Sequence, residues 1–341
     1  MSHDCIHDHV SIVSNASAMF SDMFHLPPRS HRPRRPLYTR RMAPLQSLPV
    51  FFDRRMVPPL HALSPDARKP AEVIESWRRL ELPLLELAVT PATVDELARA
   101  HERRYVERVL AGRAANGFGK RDLEVASSLR FTSGAMLAAT RLATALRLPA
   151  AIAPCAGFHH AGYAHGGRFG TFNGLMVAAT AVHAEGLAQR VGILDCDMGY
   201  GSGTDEIIEE LGASSWVRHF TAGATFGRGG DAREFLSSWL PKALEAMRDC
   251  DVVLYQAGAE PRVDGPLGGL LDTEQLCERD NRVFRELSAW QIPVVWSVAG
   301  GYDLELDRSI ARVLASHDST LVESAVAHLE HEALGFGEGA M

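Results

Sequence analysis

The sequence predicts an α/β fold, a single domain built on a mostly parallel sheet with helices on both faces. Strand-length runs that are apolar throughout recur at Ala150–Ala153, Val191–Leu194, Val252–Tyr255 and Pro293–Val298. Helical patterns alternate with them at Ala135–Leu146, Leu175–Arg190, Thr204–Leu211, Glu234–Arg248 and Thr273–Trp290. Strands without a polar face, joined by helices, are the mark of a sheet covered on both sides. No internal repeat and no Ser/Gly linker divides residues 47–341, so one domain is expected there.

The chain begins differently. Residues 1–46 read as a basic extension: up to Arg41 there are six Arg and three Asp. The run from Pro27 to Pro36 holds four prolines and cannot sustain a helix. Its His3, His7 and His9 read as solvated tail residues. From residue 47 the composition becomes globular, and Ala71–Leu80 and Thr93–Ala111 are expected to be helices packed on the sheet.

Net charge is −7 although the first 41 residues are basic, so the body is strongly acidic. An acidic body argues against nucleic acid as the main ligand. No apolar run approaches the roughly 18 residues of a membrane span, and no secretory signal is visible, so a cytoplasmic protein is expected. The five cysteines are scattered and form no CxxC pair, which reads as reduced thiols; Cys155, Cys196 and Cys250 adjoin apolar runs and should be buried.

Each strand run is followed at once by chemistry-bearing residues. After Ala150–Ala153 comes Gly157-Phe158-His159-His160, and after Val191–Leu194 comes Asp195-Cys196-Asp197. After Val252–Tyr255 comes Gly258-Ala259-Glu260, and after Pro293–Val298 comes Gly300-Gly301-Tyr302. Ligands of open α/β sheets bind beyond the carboxyl ends of the strands. Two imidazoles, three carboxylates and a phenol are therefore expected at one edge. One imidazole can accept a proton from water while the other stays charged, provided an acceptor such as Asp195 orients it. The glycine-rich stretch Gly199–Thr204 also invites a nucleotide-loop reading. It lacks the third fingerprint glycine, and two aspartates precede it, so phosphate binding is disfavoured.

The His-His-Ala segment, Phe169–Asn173, the Asp-Cys-Asp, the Gly-Ala-Glu followed by Pro266-Leu267-Gly268, and the Gly-Gly-Tyr occur in a telling order. Together they resemble the zinc-dependent histone deacetylase and acetylpolyamine amidohydrolase family, over roughly residues 47–330. Lys69-Pro70, His101, Tyr105-Val106 and Phe131–Ala135 add weaker support. The resemblance implies an arginase/deacetylase-type fold with about eight strands. It also implies hydrolysis of a small-molecule or peptide N-acyl amide, such as acetyl-lysine or acetylpolyamine, by metal-activated water. In that scheme His159 and His160 are the base and acid pair, Asp195 orients one of them, and Tyr302 stabilises the oxyanion. Phe169 lines the acyl tunnel, zinc is the cofactor, and its ligands are Asp197, the residue two later, and Glu260.

The departures fall on the metal. Where the pattern has histidine two residues after Asp197, this chain has Gly199, which offers no side-chain donor. Glu260 stands where aspartate is usual, one methylene longer. Ser202 stands where Asp or Asn usually supports the second histidine, and Gly265 where an acid is common. Arg168 and Gly170 replace the small residue and cysteine that commonly flank the tunnel phenylalanine. Catalytic zinc takes three protein ligands plus water. Two readings therefore stay open: an amidohydrolase with an altered zinc site, or a catalytically silent relative that binds an acylated ligand or a protein partner. Tyr200, His165 or a second water could compensate for the missing donor.

Overall fold

A parallel seven-stranded sheet forms the centre of the protein, in the order β2-β1-β3-β7-β6-β4-β5. The structure, a computed structural model, describes residues 47–58, 67–262, 269–301 and 311–335. The basic extension 1–46, the segment containing Gly265 to Gly268, and Tyr302 lie outside the described residues.

The strands are β1 (Leu48–Phe51), β2 (Leu84–Leu87), β3 (Ala150–Ile152), β4 (Val191–Asp195), β5 (Val217–Thr221), β6 (Val252–Gln256) and β7 (Val294–Ser297). Every pairing between them is parallel. The four strands expected from apolar runs are all present, and they are neighbours: β3, β7, β6 and β4 fill the middle of the sheet. Every residue in them is buried, which explains why they lack polar alternation. Strands β2 and β5 lie at the two edges and are half exposed, so no apolar run announces them. Short β1 is buried but too brief to stand out.

Helix α1 (Lys69–Trp77) precedes β2, and the expected helix 93–111 is two pieces, α2 (Val94–Leu97) and α3 (Arg103–Leu110). Helix α4 (Leu123–Leu146) starts well before the predicted Ala135, because Asp122 caps it by accepting from Glu124 N and Val125 N. The hydroxyls of Ser128 and Thr132 bond back to the carbonyls of Val125 and Leu129, so these poor helix formers are accommodated inside it. Helix α5 (Gly174–Ala184) stops short of the predicted Arg190 at the Glu185-Gly186 turn. Helix α6 (Ser202–Glu210) follows β4.

The predicted helix 234–248 is interrupted: α7 (Ala232–Glu234) passes through a π-helical turn, Phe235–Trp239, into α8 (Leu240–Glu245). Pro241 has no N–H to give Ser237, so an α-helical ladder cannot run through this point. Phe235 and Trp239 stack across the turn at 5.3 Å. Helices α9 (Thr273–Ala289) and α10 (Ala311–Gly335) complete the chain. Trp77 and Trp296 meet at 5.4 Å in the core between α1 and the sheet. Cys155, Cys196 and Cys250 are buried free thiols, as their apolar surroundings predict.

Candidate active site

Because β3, β7, β6 and β4 are neighbours, their carboxyl ends bring His159, His160, Asp195, Asp197 and Glu260 to one edge of the sheet. Nδ1 of His159 lies 2.7 Å from Oδ2 of Asp195, the last residue of β4. Asp195 is fully buried, and its Oδ1 accepts from the Asp197 backbone N–H at 3.1 Å and from Gln256 Nε2 at 3.0 Å. Gln256 ends β6 and is in register with Asp195, which sets its amide against the carboxylate. Three donors thus compensate the cost of burying one charge. Burial works against charge on both partners, yet each holds the other ionised: Asp195 stays below the usual carboxylate value and His159 rises above the usual imidazole value.

His160 behaves in the opposite way. Its ring centroid lies 4.0 Å from that of His159, with the planes tilted by 50°. Burial, then the charges of His159 and Arg168, pull its pKa down to about 3. The two shifts therefore run in opposite directions, with Asp195 favouring the charged form of His159 while burial favours the neutral form of His160.

Asp197 and Glu260 come together at Gly300. A β-carbon on Gly300 would stand 2.6 Å from Oδ2 of Asp197 and also 2.6 Å from Oε1 of Glu260, so only glycine fits between the two carboxylates. The Gly300 N–H donates to Oδ2 of Asp197 at 2.8 Å. At Gly199 the space for a ligand is filled: a β-carbon there would lie 2.8 Å from Nε2 of His160 and 3.4 Å from Cε1 of His159. No group of three His, Cys, Asp or Glu side chains among the described residues could hold a metal ion. These residues do not fit the three-ligand catalytic zinc of the resemblance.

Neither candidate for compensation takes up the missing role. The Tyr200 hydroxyl donates to Asp205 Oδ2 at 2.7 Å, and His165 Nε2 lies 2.8 Å from Glu206 Oε2. Both side chains are turned toward carboxylates of α6. Ser202, the first residue of α6, is exposed.

Sequence reasoning missed His219 and Arg279, and it named Lys69 without giving it a role. His219 on β5 lies with Nδ1 2.7 Å from Asp205 Oδ1, and its buried Nε2 has no hydrogen-bond partner among the described residues. Lys69, fully buried, donates from Nζ to the Ala299 carbonyl and, at 3.2 Å, to that of Gly301, pinning the turn after β7. Arg279 on α9 is paired with Asp280 and donates to the Gly258 carbonyl at 2.7 Å, which steadies the end of β6. In the sequence Lys69-Pro70 stands only as weaker support for the resemblance, and nothing local marks His219 or Arg279.

Phe169 is half exposed and packs against Phe118 with ring centroids 5.7 Å apart. It follows Arg168 in a tight turn closed by reciprocal bonds between Gly167 and Gly170, each 2.8 Å. Arg168 and Phe169 take φ values of 42° and 70°, a left-handed conformation that costs a non-glycine residue about 1 kcal/mol or more.

Residues 65–226 match the histone deacetylase domain family, a stretch that includes His159, His160, Asp195 and Asp197 and ends before Glu260. An uncharacterized protein of Picosynechococcus sp. is 28% identical over 162 residues, 43% of this chain and 54% of that protein. The chain thus spans about half the length of that curated relative. Among solved structures, acetylpolyamine aminohydrolase from Burkholderia pseudomallei superposes with a TM-score of 0.66 at 18% identity, covering 82% of this chain and 99% of that one. The HDA15 HD domain superposes at 0.64 and 20% identity, covering 84% and 93%. At these identities the likeness establishes a shared α/β fold.

Proposed function

Since residues 65–226 match the histone deacetylase domain, we propose that this chain is a histone-deacetylase-like amidohydrolase acting on an N-acyl amide, with an altered metal site. The observation that carries this reading is the imidazole pair: His159 held by Asp195 at 2.7 Å, with the His160 ring tilted against it at 4.0 Å. Neutral His160 accepts a proton from the water that attacks the acyl carbon. His159, whose protonated form Asp195 favours, supports the negative charge that develops on the carbonyl oxygen and returns a proton to the departing amine. Asp195 and Gln256 hold His159 in the orientation this requires. Tyr302, by the resemblance, would donate to the oxyanion. The acetylpolyamine aminohydrolase likeness makes a small acylated amine or an acyl-lysine peptide the natural first substrate to try.

No step runs through zinc, because Gly199 supplies no ligand and the imidazoles already occupy its side of the site. A base as weak as His160 also predicts slow turnover. The same observation favours a second reading, a silent relative that keeps the cleft for binding an acylated ligand. Among the described residues no helix is long and apolar enough to cross a membrane, and the free cysteines suit a reducing, cytoplasmic setting.

The test is metal content after dialysis, measured alongside hydrolysis of acetyl-lysine peptide and acetylputrescine, with His160→Ala as control. Hydrolysis that disappears in His160→Ala supports the amidohydrolase reading. Saturable binding of the peptide without hydrolysis supports the silent one. Near-stoichiometric zinc in the parent protein would remove the silent reading's main argument.

A further inference from the structure

The turn that carries Arg168 is built against the backbone of His160 and Ala161. A β-carbon on Gly167 would lie 3.5 Å from the His160 carbonyl oxygen, and one on Gly170 would lie 3.0 Å from Ala161 N. The Phe169 N–H donates to the Gly117 carbonyl at 3.0 Å, which ties the tip of the turn to a second loop. Both central residues have positive φ, the geometry for which hairpin turns ordinarily use Asn-Gly or Gly-Gly. An arginine and a phenylalanine are held there in its place. Strain that the surroundings over-determine in this way is a pointer to function.

The charges around this turn are uneven. Glu206 is engaged by His165 and by the Tyr163 N–H, and Asp205 by His219 and Tyr200. Arg168 is exposed, and its side chain makes no ion pair or hydrogen bond among the described residues. Its charge nevertheless reaches both imidazoles and opposes their protonation. An exposed guanidinium on a fixed turn packed against the His160–Ala161 backbone is suited to bind a carboxylate, since its planar fork pairs with both carboxylate oxygens.

We propose that Arg168 makes this cleft selective for N-acyl amides whose amine portion ends in a carboxylate, and against those ending in a cationic amine. The amine portion is the part in question because Arg168 and Phe169 both face solvent, where the outgoing chain of a bound amide must emerge. Phe169 and Phe118 supply the apolar wall along which an aliphatic chain would run. The inference rests on the cleft binding N-acyl amides as proposed above, but not on its hydrolysing them.

The experiment compares three probes of matched chain length: acetamidohexanoate, N-hexylacetamide and the acetamidohexyl ammonium ion. Binding to the full chain is measured by calorimetry, so the result stands whether or not any amide is cleaved. The anionic probe is expected to bind about tenfold tighter than the neutral one, the usual worth of a hydrogen bond to a charged group. The cationic probe is expected to bind weakest, and added salt should narrow the gap. Arg168→Gln should erase the ranking, while Arg168→Lys should keep its order. Equal binding of the three probes, no binding of the anionic one, or a ranking that survives in Arg168→Gln would each overturn the proposal. Absence of hydrolysis with the anionic preference intact would instead count against the amidohydrolase reading alone.

Discussion

A β-carbon at Gly199 would lie 2.8 Å from Nε2 of His160, so the position that lacks a metal ligand is the one against which an imidazole now leans. The two features form one arrangement. Any side chain at 199 must first displace His160, and a swap that adds volume to such a site costs about 1–3 kcal/mol.

Restoring histidine there should consequently fail on its own. Gly199→His is expected to lower the melting temperature and to retain little zinc after dialysis. The double variant Gly199→His with His160→Ala should retain more, because the space is then free. Elemental analysis of the two proteins decides this. Stoichiometric zinc in Gly199→His with unchanged stability would show that His160 does not block the position.

Asp195→Asn probes the charged half of the pair. Asp195, with a smaller contribution from Asp197, holds His159 above its ordinary value against the effect of burial. With the carboxylate neutralised, the His159 titration observed by NMR should fall below that of a free imidazole. The sign of the linked stability follows. A raised native pKa contributes stability that is present below the unfolded value of about 6.5 and is lost as pH rises through the native one. The parent should thus lose stability on the alkaline side, and Asp195→Asn should lose this slope.

His101 gives the opposite slope. Its Nδ1–H donates to the Gly162 carbonyl at 2.9 Å, and its Nε2 accepts from the Asn173 N–H at 2.8 Å, which requires a neutral ring. Burial pulls its pKa down to about 4. A depressed native pKa contributes stability that is present above about 6.5 and is lost as pH falls toward 4, by up to about 3 kcal/mol. Denaturant unfolding between pH 7 and pH 4 should show this loss. His101→Phe should flatten it while lowering stability at pH 7 by about 2–4 kcal/mol, from two buried backbone groups left without partners.

Lys69→Met tests the pin on the turn after β7. Its loss leaves the Ala299 and Gly301 carbonyls without their ammonium donor and should cost about 2–3 kcal/mol. The Gly300 N–H, now bonded to Asp197, should exchange with solvent faster. An unchanged exchange rate at Gly300 would mean that Lys69 does not secure this turn.

Much of the sheet could be read from sequence because a doubly covered strand advertises itself locally. Val191–Leu194 and Val252–Tyr255 are apolar at every position, and the structure extends each by the one polar residue, Asp195 or Gln256, that turns toward the site. Edge strand Val217–Thr221 carries Arg218 and His219 and gives no such signal. Helix α4 was legible only over its second half, since its first half is rich in Ser and Thr, of which Ser128 and Thr132 bond back to carbonyls within the helix.

By sequence alone, the order of motifs determined the strand ends at which His159, His160, Asp195, Asp197 and Glu260 stand, and that Gly199 brings no ligand. Local order suffices for this, because each motif adjoins its own strand. Only the tertiary structure decided what those residues meet. Strand order made Gln256 the neighbour of Asp195, folded Gly300 between Asp197 and Glu260, and set His160 over Gly199. It also set the Arg168 turn against His160 and spent Tyr200 and His165 on the carboxylates of α6. Most of these contacts join residues that lie far apart along the chain. They exist only once the strands have been ordered by packing, so no local pattern can record them.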